Sequence, residues 1–238
     1  IIIEKTEKVL EKLNEWKGRI SASHLISYLY NPIDFYLNNI LKARETEEIE
    51  EELSQRNYGN LVHYALDKLY KGKKGKVLKA SDIENLKPEI DSAINSAIAK
   101  LKHQPELYEQ GMNYIHKSMA AKVVEHILDY DLGLIKAGNS LEIISLEEGI
   151  NAEFSLGENG KKINFIGYID RIDRLNGVLR VIDFKTAKAK NLSMKPKEEK
   201  LEDFISSADS KQALQLSIYA YMALHNKGFA DNQLQCGI

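Results

Sequence analysis

Apolar residues recur at helical spacing through the first half of the chain. Val9, Leu10, Leu13 and Trp16 place a helix over residues 4–16, and Ser21 or Ser23 reads as the N-cap of a helix over His24 to Tyr30. Pro32 opens another, carrying Phe35, Tyr36 and Ile40. After a charged stretch from Glu45 to Glu52, expected to be a solvated helix face, Leu61, Val62, Leu66 and Leu69 form one stripe with His63 beside it. Ser81-Asp82-Ile83-Glu84 is a capping-box pattern before a helix through Ile90, Ile94 and Ile98 that should end near Lys102. Pro105 starts a further helical stretch reaching about Lys136.

Beyond Gly138 the period changes to two. Leu141–Leu146, Ile150–Leu156, Ile163–Leu175 and Val178–Lys185 read as strands. The polar stretch from Lys188 to Lys200, with Pro196, is expected to be a loop, Gln212–His225 a helix, and a short strand to begin near Gln233. Helices, then strands, then helix and strand predict one α/β domain over 1–238, with 1–138 mostly helical and 139–238 holding the sheet and a flanking helix.

Asn176-Gly177 between two alternating runs is a two-residue hairpin signal, and it fixes a register. Leu175 then faces Val178, Asp173 faces Arg180, Ile172 faces Val181, Asp170 faces Asp183 and Tyr168 faces Lys185. The Asp173–Arg180 and Ile172–Val181 pairs are favourable, each worth about 0.2–1 kcal/mol. Asp170 opposite Asp183 is not, unless a proton or a cation lies between them. A divalent cation resolves that conflict, and Lys185, two residues from Asp183, shares its face. Two carboxylates and a lysine in this arrangement outline metal-assisted phosphodiester chemistry, with Lys185 orienting water or offsetting charge in the transition state. The plain alternative is a surface hairpin whose lysine bridges two aspartates in water.

Composition narrows the picture by exclusion. A net charge of −2 leaves nucleic-acid affinity to local clusters or a metal. The candidate clusters are Lys71–Lys79 and Lys188–Lys197, which otherwise read as solvated loops. The single cysteine, Cys236, excludes an intramolecular disulfide and a four-thiolate metal site within this chain, and fits a cytoplasmic setting. No apolar run approaches the ~20 residues needed to cross a bilayer, and the first residues lack a signal-peptide layout. The absence of an initiator methionine leads to the expectation of a piece of a longer chain.

Gly167-Tyr168-Ile169-Asp170-Arg171-Ile172-Asp173-Arg174 followed by Val181-Ile182-Asp183-Phe184-Lys185-Thr186 resembles the core motifs of the PD-(D/E)xK nuclease superfamily, closest to the RecB/AddB-type exonuclease branch. Gly59-Asn60-Leu61-Val62-His63 matches that branch's "GxxxH" helix and Gln215-Leu216-Ser217-Ile218-Tyr219 its "QxxxY" helix. Residues 21–25 and 30–36 are similar to its entry segment. The resemblance implies a restriction-endonuclease-like core, a mixed central sheet with antiparallel hairpins flanked by helices. It also implies that His63, Asp170, Asp183 and the Phe184 carbonyl bind Mg²⁺ or Mn²⁺, that Lys185 is the catalytic lysine, and that Gln215 and Tyr219 support the site or contact DNA. Packing is an equal account of that last pair, and an ion pair an equal account of Glu153, which resembles an acidic position on the preceding strand. Asn31 stands before Pro32 where related branches often have cysteine, so no iron-sulfur cluster is expected.

The implied function is metal-dependent hydrolysis of DNA, favouring exonuclease action, in a domain of a helicase-nuclease for repair and recombination, with DNA and a helicase domain or subunit as partners and no membrane. The competing readings are a silent nuclease-like module that grips DNA or a partner, and the same fold acting on RNA or on a specific duplex site. Retention of Asp170, Asp183, Lys185 and His63 speaks against the silent module.

Overall fold

The computed structural model describes residues 4–43, 53–156, 161–185, 192, 207–225 and 233–238. The charged stretch Glu45–Glu52, and Lys188–Lys200 apart from Leu192, lie outside these residues. The described helices are α1 (Glu7–Lys17), α2 (Ala22–Tyr30), α3 (Pro32–Phe35), α4 (Gln55–Tyr70), α5 (Ala80–Leu86), α6 (Ile90–Lys100), α7 (Gly111–Lys136) and α8 (Lys211–His225). The strands are β1 (Lys76–Val77), β2 (Leu141–Leu156), β3 (Lys161–Leu175), β4 (Val178–Ile182) and β5 (Leu234–Gly237), in sheet order β1-β2-β3-β4-β5. A mixed sheet with flanking helices and a helical N-terminal part is the fold class that the family resemblance implies.

The chain divides into two compact units, one of Glu47–Glu148 with Asp170–Ala187, the other of Ile1–Thr46, Gly149–Ile169 and Lys188–Ile238. In the first, α4 packs on α6 and α7, and α5 and α6 also pack on α7. Leu61, Leu66, Ile83, Ile94, Ile98, Leu128, Leu141 and Ile143 are fully buried in its core. Each such side chain contributes about 1.5–3 kcal/mol, against about 0–1 kcal/mol for a typical surface ion pair. Apolar packing therefore holds α4, the carrier of His63, in place.

One buried polar network joins the helices of this unit to β3. The Arg171 guanidinium, 1% exposed, donates to both carboxylate oxygens of Asp131 (2.7 and 3.1 Å) and to Asp173 (2.6 Å). The Tyr70 hydroxyl donates to Asp131 as well. Arg180 closes the set with two bonds to Asp173, at 2.7 and 2.9 Å.

The β3–β4 hairpin follows the sequence-derived register, pairing Leu175 with Val178, Asp173 with Arg180 and Ile172 with Val181. Asn176 (φ 53°) and Gly177 (φ 86°) both take the left-handed conformation that a two-residue type I′ turn needs. The ladder ends at Arg171–Ile182, so the expected Asp170–Asp183 and Tyr168–Lys185 pairs do not form within it. Its end has a physical cause: the Phe184 N–H donates to Oδ2 of Asp170 at 2.6 Å instead of to a main-chain carbonyl.

Other boundaries also differ. The helix expected from Ser81 starts at Ala80, where the Asp82 carboxylate accepts from the Lys79 N–H at 2.9 Å. It does not run on to Lys102. Pro88 lacks an N–H and its ring excludes the carbonyl four residues back, so a 3₁₀ turn over Lys87–Glu89 separates α5 from α6. The two strands expected over 141–146 and 150–156 are one, β2, with a kink at Glu147 (φ 47°). The two-residue β1 within the lysine-rich stretch was not foreseen; it pairs Lys76 with Ile143 and Val77 with Glu142.

In the second unit Trp16, Tyr28 and Phe35 form an aromatic cluster, with Trp16 and Phe35 centroids 4.8 Å apart. Ser21 caps α2 by accepting from the His24 N–H. Asn31 caps α3 by accepting from the Asp34 N–H, a use for the residue that stands where related branches often have cysteine. Ile20 bridges Phe165 on β3. α8 packs on α2 and β5. A Cβ on Gly167 would lie 3.4 Å from both Tyr219 and Met222, so this glycine permits the close approach of α8 to β3.

Candidate metal centre

His63 leaves α4 on the flank of its buried stripe and is 20% exposed at the side chain. Its Nδ1 lies 3.0 Å from Oε1 of Glu147 and 3.4 Å from Oδ1 of Asp170, while Nε2 lies 3.2 Å from the Phe184 carbonyl oxygen. The Phe184 ring stands edge-on to the imidazole at 5.9 Å. Asp183 is 3% exposed, and Lys185 Nζ lies 2.6 Å from its Oδ2. Five groups from four segments thus meet within one unit. They are an imidazole, three carboxylates and a carbonyl, with an ammonium at the edge.

Electrostatics matches the crowding. Burial pulls the His63 imidazole down, but hydrogen bonds to Asp170 and Glu147 and their charge outweigh it and push the group up to about 10. Burial, then the Asp170 charge, raises the Asp183 carboxyl, against the pull of Lys185. The metal-free protein therefore holds a proton on His63, which donates from both ring nitrogens.

The donor set fits a hard divalent cation. Ligand atoms of His63, Glu147 and Asp170 lie within 4.8 Å of one another. Bonds of about 2.0–2.1 Å to Mg²⁺ place adjacent octahedral ligands about 3 Å apart, close to the 3.2 Å separation of Nε2 and the Phe184 carbonyl, while Nδ1, facing Glu147 and Asp170 at 3.0 and 3.4 Å, is left to orient the ring. Oxygen predominates and no thiolate contributes, which suits magnesium or manganese.

Of the residues singled out in the sequence, His63, Asp170, Asp183, Phe184 and Lys185 come together here. Gln215 and Tyr219 lie on α8 in the other unit, where the Gln215 amide donates to the Tyr219 hydroxyl at 3.0 Å and the Tyr219 ring packs over Gly167. Glu153, also in that unit, is exposed and pairs with Lys162 at 2.7 Å. The acidic residue that reaches His63 is Glu147, which sequence reasoning missed. Its signal was the break in alternation at Glu147-Glu148-Gly149 between two apolar runs. In the lysine-rich stretch, Lys73 is tied to Asp82 and Lys74 to the Leu146 carbonyl, so part of that cluster is structural. The cluster over 188–197 lies outside the described residues, Leu192 excepted. Among the described residues no helix is long and apolar enough to cross a membrane.

Known proteins resemble the chain over most of its length. The chain is 28% identical over 228 residues, 92% of its length, to an ATP-dependent helicase/deoxyribonuclease subunit of Carboxydothermus hydrogenoformans. It is 23% identical over 71% of its length to the protein of the same name in Streptococcus suis. It spans only 20% and 15% of the lengths of these relatives. The model of the PD-(D/E)XK nuclease superfamily matches residues 19–236, and the chain belongs to that superfamily.

Proposed function

We propose that this domain is a Mg²⁺- or Mn²⁺-dependent deoxyribonuclease acting on the ends of linear DNA, as the nuclease part of a helicase-nuclease in repair and recombination. The observation that carries the reading is the convergence of His63, Asp170, Asp183, Glu147 and the Phe184 carbonyl beside Lys185. Asp170, Asp183, the Phe184 carbonyl and His63 hold the ion. When bound, it polarises a phosphoryl oxygen and lowers the pKa of a water.

The chain's own groups do the rest. Lys185, 30% exposed at the side chain, points an ammonium from the Asp183 carboxylate toward solvent, where it orients the attacking water and offsets phosphorane charge. Glu147 fixes the imidazole orientation through Nδ1. The Tyr219 ring, whose hydroxyl accepts from the Gln215 amide, braces β3 at Gly167. The relatives' name, helicase/deoxyribonuclease, supports DNA as substrate and a helicase domain or subunit as partner.

The test is degradation of linear and circular DNA with Mn²⁺, Mg²⁺ or EDTA, beside Asp183→Ala and Lys185→Ala. Metal-dependent loss of linear DNA alone, absent in both variants, is expected. Binding of metal without cleavage would favour a silent module.

A further inference from the structure

The second unit carries a cleft that the metal centre does not use. Its volume is about 380 Å³, and Tyr30, Asn31, Asp34, Lys211 and Gln212 contribute to its lining. The volume is of the order of one nucleotide, at the small end of ligand sites of about 300–1,000 Å³.

Three observations define its chemistry. The Lys211 ammonium, exposed, lies 5.1 Å from the centroid of the Tyr30 ring. The Tyr30 ring lines the cleft, and its hydroxyl is shielded from water, so the ring is the part offered to a ligand. Asp34 accepts from Asn38 at 2.8 Å and from Ser27 at 3.3 Å, which fixes its carboxylate as an oriented acceptor. An aromatic face, an exposed cation and a fixed acceptor match a nucleobase, its phosphate and a base N–H donor. An aliphatic or purely anionic ligand would leave Asp34 or Tyr30 unused.

We propose that this cleft binds one nucleotide of a single DNA strand, with the base on Tyr30 and the phosphate on Lys211. The phosphate draws the ammonium off the ring and leaves that face to the base. The proposal deepens the deoxyribonuclease reading, on which it rests, by adding a strand-holding site that the metal ligands do not provide.

The test is photo-cross-linking of the full chain to an oligo(dT) strand containing 5-iododeoxyuridine, in EDTA so that nothing is cut, with the adduct mapped by mass spectrometry. The expected adduct is on Tyr30. Lys211→Glu, an exposed change, and Tyr30→Ala should each weaken binding of the strand about tenfold, given stacking and phosphate contributions of that order. Tyr30→Phe, which keeps the ring, should retain most affinity and guards against misfolding of the alanine variant. Competition by dTMP would assign a free mononucleotide as the source, and its failure the strand. Adducts only on other peptides, with Lys211→Glu binding as wild type does, overturn the cleft even where metal-dependent cleavage is intact. A Tyr30 adduct on a chain that cleaves with neither metal keeps the cleft and removes the nuclease reading instead.

Discussion

The Phe184 N–H donates to the Asp170 carboxylate across 2.6 Å, and the Phe184 carbonyl faces His63 Nε2 at 3.2 Å. The backbone of this one residue is thereby held on both sides by proposed metal ligands, just past the end of β4. The Asp170 carboxylate thus has two duties, as acceptor and as charge. Asp170→Asn keeps an acceptor for the N–H and loses the charge. It should melt close to wild type yet bind Mn²⁺ at least about tenfold more weakly and cleave nothing. Asp170→Ala should in addition lose about 1.5–3 kcal/mol of stability, the worth of a hydrogen bond to a charged group. Equal melting of the two variants, with calorimetric Mn²⁺ titration as the second readout, would show that charge and not the acceptor positions Phe184.

The pH dependence of the metal-free protein follows from two groups with the same sign. The His63 imidazole is raised from 6.5 to about 10, so its contribution to stability is full below pH ~6.5 and is lost as pH rises toward 10. The Asp183 carboxyl is also raised, so its ionisation in the folded state costs stability as pH climbs through the carboxylate range. In EDTA the melting temperature should fall steadily from pH 6.5 to 9. Metal competes with the His63 proton, so the stabilisation by Mn²⁺ should grow over the same interval. His63→Gln should flatten both slopes, and a slope unchanged in that variant would place the titration elsewhere.

The Arg171 network predicts a large and asymmetric penalty. Asp131→Ala leaves a guanidinium buried with only Asp173 at hand and should cost about 3–5 kcal/mol, the usual effect of breaking a buried pair. Arg180→Ala, at the edge of the network with 11% of its side chain exposed, leaves Asp173 paired with Arg171 and should cost less, about 1.5–3 kcal/mol. Chemical denaturation measures both. A cost for Asp131→Ala near that of Arg180→Ala would mean that water reaches Arg171.

Most of the centre was legible because two short-range signals are strong. Asn176-Gly177 permits one turn type and hence one register, and the register alone brought Asp170 toward Asp183. The Asp173–Arg180 pair was read the same way, but Asp131, on α7, was not. Its partnership with Arg171 spans 40 residues, and nothing local marks a buried aspartate on a helix. The break at Pro88 was legible and overlooked, because the Ile90, Ile94, Ile98 period continues through it. Glu147 was hidden differently. A non-glycine residue at φ 47° in mid-strand is set by the site and not by propensity, and only the lapse in alternation beside it shows in the sequence.

That backbone conformation makes Glu147 a test of strain held at a functional site. A left-handed non-glycine residue costs about 1–2 kcal/mol, and the Glu147 carboxylate adds negative charge beside Asp170. Glu147→Gly relieves both and removes the Nδ1 acceptor of His63. The variant should melt no lower than wild type in EDTA, yet bind Mn²⁺ about 10–100-fold more weakly, the usual cost of losing a group that orients a ligating histidine. Glu147→Asn, which tolerates the left-handed conformation and keeps a neutral acceptor, should fall between the two in affinity. If Glu147→Gly instead loses more than about 2 kcal/mol in EDTA, the His63–Glu147 pair is a structural ion pair. The kink in β2 would then serve the fold and not the metal.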